Sequence, residues 1–97
     1  MRRLLRIEVS DLARAQIHAA QNWWRVNRPK APNAIREELE RASLLISVQP
    51  ELGARATNIS LAGVRRLHLA RVRYYVYYRV VAVLAFWHES RGSGPSI

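Results

Sequence analysis

The spacing of apolar side chains along this chain changes near Gly63, from a helical period to a strand period. Before that point Ala13, Ile17, Ala20 and Trp24 recur at spacings of 4, 3 and 4, which marks one face of an α-helix. Ser10 offers the N-cap, Asp11 sits at the positive end of the helix dipole, and Trp23 lies at the edge of the stripe. The helix should stop before Pro29, because the proline disfavours the α region for Arg28. "NRPKAPN" is then an inter-helix turn. Asn33 can cap a second helix with the stripe Ile35, Leu39, Ala42 and Leu45 or Ile46, and with Glu37 and Arg41 as an i,i+4 pair outside. "QPELG" ends it, with Gly53 as a natural turn residue. Two helices so closely joined lie antiparallel and share one apolar side.

After Gly63 the period is two. Leu67 and Leu69 alternate with Arg66 and His68, and Val76, Tyr78 and Val80 alternate with Tyr75, Tyr77 and Arg79, as in half-buried antiparallel strands. Tyr78 can bury its ring only if its hydroxyl finds a polar partner. "AVLAFWH" is apolar on both faces, as in a central, covered strand. With "LLRIEV" (4–9) as a first strand and 54–63 as a loop, the order is β-α-α-β-β-β. This is an α+β fold, a helical hairpin packed on one face of a small, mainly antiparallel sheet. The other face carries Arg66, His68, Arg73, Tyr75, Tyr77 and Arg79. Residues 1–97 form one domain, whose polar, Gly/Pro/Ser-rich tail, 89–97, should fray.

The stretch from Tyr74 to His88 contains no Gly, Pro, Asn or Asp, so its turn is not marked. Either it forms a hairpin turning at Arg79–Ala82, where Val80 and Val81 suit a two-residue turn poorly, or residues 73–88 form one extended strand exchanged within a homodimer.

Charge adds a partner class. Of 97 residues 16 are basic and 7 acidic, for a net +9. The excess lies at the two ends: residues 1–29 hold six Arg against Glu8 and Asp11, and residues 64–97 hold six Arg against Glu89. Fifteen of the basic residues are Arg, a side chain suited to bidentate contacts with phosphate or carboxylate, so the field attracts a polyanion or an acidic protein. Without cysteine, and with only His18, His68 and His88 far apart in sequence, no metal or cofactor is expected. No apolar run approaches the ~18 residues that cross a bilayer, so a cytoplasmic protein with no membrane partner is expected.

Three stretches carry a family resemblance: "WWRVNRPKAPNAIREELERASLLISVQPELG", "GVRRLHL" (63–69), and "RYYVYYRV" with "VLAFWHESRG" (73–92). In this order they resemble the RelE/ParE superfamily of toxins from bacterial type II toxin–antitoxin modules, over nearly the whole chain. The resemblance implies a small basic toxin neutralised by a wrapping antitoxin with an acidic tail, in a complex that represses its own operon, with operator DNA bound only through the antitoxin. Trp23 and Arg25 are the expected antitoxin contacts.

The superfamily divides between ribosome-dependent endoribonucleases, RelE-like, and ParE-like members that act on DNA gyrase without cleaving anything. Metal-free RNA cleavage needs a base for the 2′-OH, an acid for the leaving oxygen and cations for the phosphorane. The candidates for a nuclease are His88, with His68 as an alternative, and Arg66, Arg73, Arg79 and Arg91; His88 can equally be a polar side chain leaving the core edge. Two departures favour the ParE-like side. No Lys follows Lys30 and no aromatic follows Trp87, whereas the nucleases generally place Lys on the middle strands and an aromatic or His near the C-terminus. A binding toxin needs only a docking surface, for which the candidates are Arg66, His68, Arg73, Tyr75, Tyr77, Arg79 and Arg91. A third reading is a basic nucleic-acid-binding module in which Tyr75 and Tyr77 stack bases.

Overall fold

The computed structural model describes residues 7–79 and 82–97. Its elements run β1 (Glu8–Val9), α1 (Asp11–Asn27), α2 (Ala34–Val48), β2 (Ala54–Arg55), β3 (Arg65–Leu69), β4 (Tyr74–Arg79) and β5 (Ala82–His88). The five strands form one sheet in the order β1-β5-β4-β3-β2, parallel at β1–β5 and antiparallel elsewhere. The α+β architecture expected from the change of period is the one observed. Of the first strand expected over 4–9, residues 4–6 lie outside the described residues.

Both helices begin and end where the local chemistry places them. The Ser10 hydroxyl accepts a hydrogen bond from the Ala13 N–H at 3.1 Å, capping α1, and the helix closes at Arg28, whose N–H donates to Trp24 O. Asn33 flanks α2 without a side-chain cap. The apolar stripes bury Ala13 and Ala20 of α1 and Ile35, Ala42 and Ile46 of α2, with Ile17, Trp24 and Leu39 packed against them. Ile46, not Leu45, completes the second stripe: Leu45 is 42% exposed and Ile46 2%. The helices cover Leu69, Val76, Tyr78, Val83 and Phe86 on one face of the sheet.

Three local expectations are corrected. Residues 54–63 are not wholly loop, since Ala54 and Arg55 pair with Arg66 and Arg65 as β2. Glu37 and Arg41 do not pair with one another. Arg36 bonds Glu40 at 3.0 Å, Arg41 lies 3.6 Å from Glu38, and Glu37 reaches across to Arg71. Gly53 is there for space: a Cβ would stand 2.7 Å from the Tyr78 hydroxyl and 2.8 Å from Arg66 O.

The unmarked stretch from Tyr74 to His88 is a hairpin within one chain. β4 and β5 pair antiparallel from Tyr74↔His88 to Arg79↔Ala82, with a register irregularity between Tyr77 and Tyr78. Val80 and Val81, between the paired ends, lie outside the described residues. β5 thus has β4 and β1 as its own neighbours, and one chain completes the sheet without strand exchange.

Candidate functional site

Strand register decides which candidate side chains meet. Directly opposed residues of an antiparallel pair share a face, so the pairs His68↔Tyr75 and Tyr75↔Trp87 line up His68, Tyr75 and Trp87 on the side away from the helices. Arg66 and Tyr77 join them through the pair Arg66↔Tyr77. The pairs Leu69↔Tyr74 and Tyr74↔His88 place His88 on the helix side. The nuclease set is therefore divided, with His88 on one face of the sheet and Arg66 and His68 on the other.

The outer face is itself divided. Tyr77 is 1% exposed, buried with Ala56, Val64 and Ala85 under Ile59, Leu61 and Ile97, and its hydroxyl accepts from Asn58 Nδ2 at 3.1 Å. The expectation that Tyr77 is a contact residue is corrected by this cover, which comes from the 54–63 segment and the last residue of the chain. The tail also rests on the sheet at Trp87, whose indole N–H donates to Ser93 O at 2.8 Å.

The open half carries a joined cluster. The Arg66 guanidinium lies 4.5 Å from the centre of the Tyr75 ring, and the His68 ring lies 4.8 Å from it. His68 Nε2 is hydrogen-bonded to a carboxylate oxygen of Glu89. Glu89 also faces Arg73, 3.8 Å away. Arg91 stacks over Trp87 at 4.4 Å. Arg79 stands apart, at the far end of β4, where it reaches Ala62 O at 3.4 Å. Arg73 occupies the turn before β4 with φ 62°, a left-handed conformation that a side chain disfavours. It leaves the alternation expected of it and points its charge at Glu89. Glu89 is the residue that sequence reasoning missed, since a lone acid in a polar tail carries no period.

On the helix side a groove of about 750 Å³ opens between the end of α1 and the β3–β4 turn, lined by Trp23, Trp24, Arg28, Arg71, Arg73 and His88, among others. Trp23 is 49% exposed, so the partly uncovered tryptophan is the alternative observed. Arg25, expected beside it as a partner contact, is on the same helix but does not line the groove; Arg28 does, 5.4 Å from the centre of the Trp23 ring. Arg71 is held by Glu37 at 3.0 Å and by the buried Glu38 at 3.4 Å, and these hydrogen bonds raise its pKa above the ordinary guanidinium value. His88 Nδ1 bonds the Ser90 hydroxyl at 2.7 Å and packs edge-on against Tyr74. Among the described residues no helix is long and apolar enough to cross a membrane.

Comparison with known proteins agrees with this geometry. No curated protein sequence matches the chain. A solved structure described as "Chromosomal ParDE TA system from P. aeruginosa" has the same fold, with a TM-score of 0.69 and 22% identity over 88% of this chain and 96% of that one. Residues 7–92 match the model of the family described as "ParE toxin of type II toxin-antitoxin system, parDE". The match spans both helices and all five strands, and the chain therefore belongs to the ParE toxin family of type II toxin–antitoxin systems.

Proposed function

We propose that this chain arrests growth by binding DNA gyrase, and that a cognate acidic antitoxin neutralises it and carries the complex to operator DNA. The target contacts in this reading are Arg66, His68 and Tyr75, bordered by Arg73 and Arg91. The observation that carries it is the division of the nuclease groups. His88 is separated from Arg66 and His68 by the sheet, while Arg66, His68 and Tyr75 stand together on an open, cationic and aromatic surface. Such a surface suits docking, where Arg and Tyr contribute most per residue.

One observation favours the alternative. The bond from Glu89 to His68 is of the kind that orients an imidazole for proton transfer, and Arg66 is close enough to help hold a phosphate. Induction in growing cells separates the two. The binding reading expects arrest relieved by the antitoxin, with translated mRNA uncut in primer extension; cuts at A-site codons would establish the endoribonuclease instead.

A further inference from the structure

The groove beside Trp23 is one part of a longer trough. A second depression, about 280 Å³, continues along α1 and is lined by Gln16, Ala19, Ala20 and Arg91, sharing Trp23, Tyr74 and His88 with the first. From Gln16 to Arg28 the helix rises about 18 Å, so the trough is long rather than round. Its floor is aromatic and its two ends are cationic: Arg28 at one and Arg91 at the other, neither in an ion pair among the described residues. The indole N–H of Trp24, in the same wall, is covered and has no acceptor within the described residues. A group of this kind costs about 1–3 kcal/mol unless something supplies an acceptor.

We infer that this trough seats an acidic segment of the antitoxin, with an apolar side chain on Trp23 and Tyr74 and a carboxylate at each end, on Arg28 and on Arg91. The inference rests on the toxin–antitoxin reading above and assigns the place and chemistry of the contact. A length of about 18 Å suits roughly twelve helical residues or five to six extended ones, more than a mononucleotide would span. The glutamates beside Arg71 and Arg73 also disfavour a phosphate, which brings more negative charge than one carboxylate.

The test measures binding of the full chain to the protein encoded by the adjoining reading frame. The variants are Trp23→Ala, Ala19→Glu and Arg28→Glu, with Arg66→Glu on the other face as the charge control. All four sites are at least partly exposed, and circular dichroism verifies the fold of each variant. The three trough variants should weaken binding about tenfold or more, and Arg66→Glu by less than about twofold. Arg28→Glu and Arg66→Glu change the net charge equally, so a difference between them reports position. If wild type binds and the trough variants bind equally well, the trough is not the seat, although the toxin–antitoxin reading stands. If wild type forms no complex with that protein, both fall.

Discussion

The Tyr78 hydroxyl donates a hydrogen bond to Pro50 O at 2.7 Å and accepts one from the Gly53 N–H at 2.9 Å. One side chain of the central strand thus ties down the segment that leaves α2 for β2, and Gly53 is the residue that lets the backbone come so close. Replacing Tyr78 with Phe leaves the buried Gly53 N–H without its partner and should lower stability by about 1–3 kcal/mol. Gly53→Ala drives a Cβ into the hydroxyl and into Arg66 O and should cost a similar amount or more. Urea unfolding of the two variants and of the double variant measures both effects. The double variant should lose less than the sum, because both substitutions break the same contact.

Arg73 trades backbone comfort for position. With φ at 62°, it holds a conformation that glycine adopts freely and that costs an L-residue about 1–2 kcal/mol. Arg73→Gly should therefore raise stability by up to about 1 kcal/mol, because the exposed contact with Glu89 that it loses is weak. The same variant should weaken growth arrest, since Arg73 borders the proposed target surface. Thermal melting and a growth assay on one preparation provide both readouts; lower stability would show that the contact with Glu89 outweighs the strain.

Tyr74 gives the fold a limit at alkaline pH. Its ring stacks on Phe86 with centroids 4.4 Å apart, and burial raises its pKa from the ordinary 10.0, against a smaller opposing effect of Arg91. Being neutral in the fold and easier to ionise when unfolded, the phenol contributes stability that is fully present below about pH 10. That contribution is lost as pH rises through the folded value. The melting temperature should fall above pH 10, and Tyr74→Phe should flatten that fall. An equal slope in wild type and variant would place the effect elsewhere.

Much of this arrangement was legible in the sequence. The stripes Ala13–Trp24 and Ile35–Ile46 and the cap at Ser10 located the helices, because burial on one side leaves a period of 3.6. Alternation likewise placed Arg66, His68 and Tyr75 together, and Tyr78 inside with its hydroxyl bonded. Alternation assigns a residue to a face but cannot tell whether another segment covers that face. For this reason Tyr77, under Ile59, Leu61 and Ile97, was expected to be open. Nor does it hold through a turn, and Arg73 left the pattern there. The partners of Arg71 and His68 lie 33 or 34 and 21 residues away, respectively, separations at which spacing carries no signal.

The central claim is that the chain acts by binding, through the surface around Arg66 and Tyr75. A DNA supercoiling assay with purified gyrase and purified chain tests it most directly. The account predicts that wild type inhibits supercoiling, that Arg66→Ala and Tyr75→Ala lose about tenfold or more in potency, and that His88→Ala, on the opposite side of the sheet, keeps most of it. Undiminished gyrase activity in the presence of a chain that still arrests growth would contradict it.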